Sequence, residues 1–95
     1  MDQAQATQNV VVTNRTGLHA RPVHLLVKAA LAYQSSIRIV KDGQEADAKS
    51  MLDVLTLLAE RGTELRLEAQ GPDADAAVAA IAKLFADKFG ESDEP

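Results

Sequence analysis

Glu64-Leu65-Arg66-Leu67-Glu68-Ala69-Gln70 is the stretch that decides the fold. Leu65, Leu67 and Ala69 alternate with Glu64, Arg66 and Glu68, the period-two pattern of a strand with one apolar face and one wet face. Strands of a parallel sheet are covered on both sides and read as unbroken apolar runs. This strand instead predicts an antiparallel sheet open to solvent on one side.

The neighbouring segments fit the same sheet. Ser36–Lys41 alternates Ile37 and Ile39 against Arg38, Asp42-Gly43 is a hairpin signal, and Gln44–Ala48 is a short return strand. Asn9–Thr13 predicts a first strand, with Val10 and Val12 on one face and Val11 on the other. Between the strands the period changes. Val23, Leu26, Val27 and Ala30 form a helical stripe over Ala20 to about Ala32, with Pro22 in the first turn, where its missing N–H costs nothing. Ser50 opens a second helix, with Asp53 three residues on, close to a capping box. Gly71-Pro72-Asp73 starts a third, which carries Val78, Ile81, Leu84, Phe85 and Phe89 and stops near Gly90. The order is βαββαβα. It predicts an α+β open-faced sandwich, a four-stranded antiparallel sheet with three helices on one face. Residues 1–8 read as a flexible N-terminus, 9–90 as one domain and 91–95 as an acidic tail.

Composition narrows the function. The chain has 95 residues, 46% hydrophobic and 25% charged, which suits a single soluble domain with one core. A net charge of -4 argues against a nucleic-acid partner, which demands a basic face. The open sheet face offers Glu64, Arg66 and Glu68 and no aromatic row for base stacking. Cysteine is absent, which excludes disulfides, zinc thiolates and thiol chemistry. No apolar run reaches the roughly 18–20 residues of a membrane span, and the N-terminus lacks a signal-peptide pattern. A cytoplasmic location is expected. Only two histidines are present, His19 and His24, so the search for proton or phosphoryl chemistry near neutral pH is narrow.

His19 stands between the loop Thr16-Gly17-Leu18 and the helix that Pro22 begins. Backbone N–H groups at a helix start lack intrahelical partners and carry partial positive charge, which favours a bound anion. Arg21 adds a permanently charged fork two residues away. These groups suit a phosphoryl group, and neutral imidazole is a nucleophile able to take one. The residues alone equally allow His19 to be a helix cap or a surface side chain.

Gly17-Leu18-His19-Ala20-Arg21-Pro22-Val23 resembles the active-site signature of the HPr family, the histidine-containing phosphocarriers of the bacterial phosphotransferase system. Asp47-Ala48-Lys49-Ser50-Met51-Leu52 resembles the family's regulatory-serine segment, and the likeness runs from about Asn9 to Gly90. The resemblance implies an HPr-like fold. It implies that His19 accepts a phosphoryl group on Nδ1 from enzyme I and donates it to an enzyme II type acceptor. Arg21 would balance the phosphate charge, Thr16 would offer a hydroxyl to it, and Pro22 would set the helix start. Such a protein is a carrier phosphorylated by partner enzymes rather than an enzyme itself. It needs no cofactor or metal, and a monomer is expected. In parts of the family a dedicated kinase phosphorylates the serine matching Ser50. Here Asp53 stands where many kinase-responsive members have glycine, and its carboxylate would repel a phosphoserine. Capping is the competing role for Ser50.

Seven of the nine residues Met51–Ala59 are apolar, spread over an arc of about 220° at about 100° per residue. That exceeds a core-facing stripe, so some must stay exposed and mark a partner surface. Met51 and Leu52 are the first candidates, with Leu55 beside them; the family uses this region to dock enzyme I. His24 departs from the family's usual small residue in the docking surface. It lies about 140° around the helix from His19, too far for a shared metal site. An alternative function is a regulatory module that binds partners through the Ser50–Leu58 helix without obligatory transfer; the pairing of His19 with Arg21 argues against it. Gly62-Thr63-Glu64-Leu65, the Gly71-Pro72-Asp73 turn and Phe89-Gly90-Glu91 resemble the nitrogen-related branch of the family, yet are too local to separate it from the sugar-transport branch.

Overall fold

The structure, a computed structural model, describes residues 4–91. Its elements are β1 (Gln5–Val11), α1 (Ala20–Leu31), β2 (Ser36–Lys41), β3 (Gln44–Asp47), α2 (Met51–Thr56), β4 (Glu64–Gln70) and α3 (Ala74–Ala86), followed by a 3₁₀ turn at Lys88–Gly90. The sheet order is β1-β4-β2-β3 and every pairing is antiparallel. Because β1 and β2 both run opposite to β4, they are parallel to each other with β4 between them. A two-residue hairpin cannot make that step, so the chain crosses by way of α1.

The alternation read from Glu64–Gln70 is the one the fold uses. Leu65, Leu67 and Ala69 are buried with Val10, Ile37, Ile39 and Ala46 beneath the helices, which add Val23, Leu26, Val54, Leu57, Val78, Ile81 and Phe85 to one core. On the opposite face Arg38 pairs with Glu68 at 3.1 Å and Glu45 at 3.7 Å, and Arg66 pairs with Glu68 at 2.7 Å. The β2–β3 hairpin turns through Asp42 and Gly43, both at positive φ (49° and 84°), the two left-handed centres of a type I′ turn.

Three expectations change. The first strand begins at Gln5, not Asn9, so residues 5–8 belong to the sheet; residues 1–3 of the expected flexible N-terminus lie outside the described residues. Gln5, Thr7 and Gln8 carry no apolar signal because their main chain, paired to Gln70, Glu68 and Leu67, holds them in place. The second helix ends at Thr56, where the sequence suggested Leu58. Leu57 closes it, Leu58 turns left-handed (φ 51°), and Lys41 Nζ donates to the Leu57 carbonyl at 2.8 Å, a cation at the negative helix end. The third helix ends at Ala86, and Lys88 and Phe89 both take positive φ (55° and 53°). That reversal buries the Phe89 ring edge-on to Phe85, centroids 4.9 Å apart. It also turns Glu91 back towards the start of α1. Glu91 is therefore not tail, while residues 92–95 lie outside the described residues.

Candidate functional site

A loop pinned at both ends presents His19. Asn14, fully buried, donates from Nδ2 to the Gly17 carbonyl at 2.7 Å, and the Gly17 N–H returns to the Asn14 carbonyl at 3.2 Å. Gly17 adopts φ +71°, and a Cβ there would stand 2.8 Å from the Ala59 carbonyl oxygen. The next residue, Leu18, donates its N–H to that same oxygen at 2.8 Å and buries its side chain. The loop before α1 is thus stitched to the segment that follows α2.

His19 comes next, as the N-cap of α1, with extended backbone (φ −93°, ψ −174°). Its carbonyl accepts the Val23 N–H at 2.9 Å, the first bond of the helix, while its imidazole makes no capping hydrogen bond and is exposed. The ring is free for chemistry because the main chain, not the side chain, starts the helix. The N–H groups of Ala20 and Arg21 lie in the first turn, where no earlier carbonyl of the helix can accept them. Pro22 is buried at the third position and spends no donor.

Two hollows meet at His19. One is rimmed by the side chains of Arg15, Thr16, Arg21 and Glu91 together with His19, with Ala20, Pro22 and Gly90 between them. The other is apolar, lined by Leu18, Leu55, Leu58 and Ala59. The structure therefore brings Thr16, His19 and Arg21 to the rim of one hollow. Leu55 comes to the other side of the same histidine. Leu52 is 78% exposed, Met51 and Leu55 are half-buried, and Leu58, which the pattern did not single out, is 75% exposed. His24 is exposed on α1 and lines neither hollow. Ser50 caps α2, its Oγ accepting the Asp53 N–H at 3.2 Å. The Asp53 carboxylate reaches the Asp47 N–H at 3.3 Å, so the box closes one turn further back than the usual pattern.

Glu91 also lines the hollow of Thr16, His19 and Arg21, a placement that sequence reasoning missed. One carboxylate oxygen accepts the Thr16 hydroxyl at 2.7 Å and Asn14 Nδ2 at 3.2 Å, and the other faces the Thr16 N–H at 3.4 Å. The Thr16 hydroxyl bond holds the Glu91 carboxyl below the usual carboxylate range. The Thr16 N–H, the Asn14 amide and the charge of Arg21 add to it against a desolvation effect. The available signal was Phe89, a large aromatic residue two positions before Glu91, whose burial carries its neighbours with it. Among the described residues, no cluster of three or more His, Asp or Glu side chains is placed to hold a metal ion, and no helix is long and apolar enough to cross a membrane.

A family model described as "PTS HPr component phosphorylation site" matches residues 6–87. The phosphocarrier protein HPr of Treponema pallidum is 45% identical over 84 residues, which cover 88% of this chain and 96% of that protein. The phosphocarrier protein NPr of Escherichia coli is 35% identical over 85 residues, 88% of this chain and 94% of its own length. Among solved structures, HPr-C-His from Thermoanaerobacter tengcongensis matches with a TM-score of 0.89 and 36% identity, over 92% of this chain and 98% of the other.

Proposed function

The chain belongs to the HPr family of phosphotransferase-system phosphocarriers, and from that premise we propose that Nδ1 of His19 accepts a phosphoryl group from enzyme I and yields it to an enzyme II type acceptor. One observation carries this reading: the His19 imidazole is exposed and uncommitted at the N-cap of α1, with Arg21 lining the same hollow. Neutral imidazole attacks phosphorus through Nδ1, and the donor's bond to phosphorus breaks with its electron pair left on the donor. The new phosphoryl oxygens then lie at a helix start, where N–H groups and the helix dipole favour negative charge. Arg21 supplies a full positive charge beside them.

Partner enzymes bring the remaining catalytic groups, so the protein is a substrate of phosphotransferases and turns over nothing alone. Docking uses Leu55 and Leu58, which edge the apolar hollow, exposed Leu52, and half-buried Met51 at the start of α2. A partner seated there covers the flank of His19, which excludes water from the transfer. His24, one turn along the exposed side of α1, contributes to partner choice. Ser50 serves as a helix cap, since the Asp53 carboxylate beside it opposes a second phosphate. The carrier acts as a monomer in the cytoplasm.

Incubation with enzyme I from the same source and phosphoenolpyruvate tests the reading. An acid-labile, base-stable phosphate should appear on the protein and vanish in His19→Ala. Absence of label on the unaltered protein, with an active enzyme I, would refute it.

A further inference from the structure

The hollow that Thr16, His19 and Arg21 share already contains an anion, the Glu91 carboxylate. Glu91 takes the Thr16 hydroxyl and faces the Thr16 N–H, two donors that point into the space shared with His19 and Arg21. Its place is not incidental to the fold. The left-handed pair Lys88 and Phe89 reverses the chain, Phe89 anchors the turn in the core, and buried Asn14 holds the carboxylate from below. Glu91 lies beyond residues 6–87, the span matched by the family model.

Resting on His19 as the phosphoryl acceptor, we infer that Glu91 is a positioning residue that occupies the phosphoryl cradle of the free protein and gives it up when His19 is phosphorylated. A phosphoryl group carries close to two negative charges and three acceptor oxygens, and would compete for the same donors. A carboxylate and a phosphate cannot both hold the Thr16 hydroxyl proton, and their like charges repel across the hollow. Phosphorylation therefore displaces Glu91 from Thr16. Two effects follow. The free protein keeps the loop ordered and its donors satisfied while it awaits a donor. The phosphorylated protein, crowded by the carboxylate, gives up its phosphoryl group more readily to the next acceptor.

Two variants, Glu91→Gln and Glu91→Ala, test this against the unaltered protein. The first readout is the equilibrium constant for phosphoryl exchange with enzyme I. Both variants should shift it towards the phosphorylated carrier by roughly 3- to 10-fold, the scale of one solvent-screened like-charge contact. The second is titration of the unphosphorylated proteins with inorganic phosphate, followed by the amide resonance of Thr16. Both variants should bind phosphate at least about threefold more tightly than the unaltered protein. Urea unfolding confirms that each variant is folded. An exchange equilibrium within twofold of the unaltered protein, or shifted towards the free carrier in both variants, would overturn the role of Glu91 and leave the carrier reading intact. Absence of label on the unaltered protein would overturn both.

Discussion

Gly17 lies against Ala59 so closely that a side chain at residue 17 would meet the Ala59 carbonyl oxygen at 2.8 Å. The same oxygen takes the Leu18 N–H at 2.8 Å. One backbone carbonyl thus sets the distance between the loop that carries His19 and the end of the segment that carries Leu55 and Leu58. Gly17→Ala faces both this collision and a φ of +71°, which costs an L-residue about 1–2 kcal/mol by itself. A loss of at least about 2 kcal/mol in urea unfolding is expected. Displacement of the loop should also slow phosphorylation by enzyme I, even where the variant is fully folded.

Leu58 holds a left-handed backbone, φ 51°, while leaving its side chain 75% exposed. Neither choice serves stability. Leu58→Gly relieves a backbone penalty of about 1–2 kcal/mol and adds unfolded-state entropy worth roughly 0.5–1 kcal/mol. Its unfolding free energy should therefore stay within about 1 kcal/mol of the unaltered protein. If Leu58 docks partners, KM for the carrier in the enzyme I reaction should rise severalfold, and Leu52→Ser should act in the same direction. Unchanged KM in both variants would remove these residues from the docking surface.

Asp73 ties the start of α3 to the end of the first crossover, accepting the Gln34 and Ser35 N–H groups, each at 2.9 Å, and the Ser35 hydroxyl. The Ser35 hydroxyl, then the Gln34 N–H, hold its carboxyl below the usual carboxylate range. A depressed folded-state pKa means that the unfolded chain binds the proton more readily. The stabilisation is therefore complete above the ordinary carboxylate range, near pH 4, and is lost as pH falls through the depressed value. Denaturation midpoints measured from pH 6 down to pH 2 should fall less steeply for Asp73→Asn than for the unaltered protein. Equal slopes would show that Asp73 contributes no pH dependence.

Ser50 makes the only capping bond of α2 among those described for its N-terminus, from the Asp53 N–H. Ser50→Ala should lose about 1 kcal/mol and Ser50→Asn only a few tenths, since asparagine caps as well as serine. The two variants should be phosphorylated on His19 at similar rates, which separates the capping role from any regulatory one.

Much of this architecture was legible because short-range physics dictates it. The strands Ser36–Lys41, with Ile37 and Ile39 against Arg38, and Glu64–Gln70, with strict alternation, emerge with those same bounds. The Asp42-Gly43 turn and the Pro22 helix start follow from which φ values each residue tolerates. His19 and Arg21 were legible for the same reason. They lie two residues apart at a helix start, so local geometry alone places them together.

Long-range placement decided the rest. Gln5–Gln8 carries no strand pattern, and β4 recruits it through main-chain bonds that no side chain advertises. Leu57 and Leu58 look alike in sequence, yet one is buried and the other exposed, because a left-handed turn after α2 separates them. Glu91 is the sharpest case. In sequence it reads as the first residue of an acidic tail, 75 positions from Thr16. Only the burial of Phe89 against Phe85 brings its carboxylate to the Thr16 hydroxyl beside His19. The sequence by itself determined the strand alternation, the helix starts and the histidine–arginine pair, each governed by neighbours within a few residues. The tertiary structure alone decided which charges face that histidine, because the energy of packing an aromatic ring into the core outweighs any local preference of the residues that follow it.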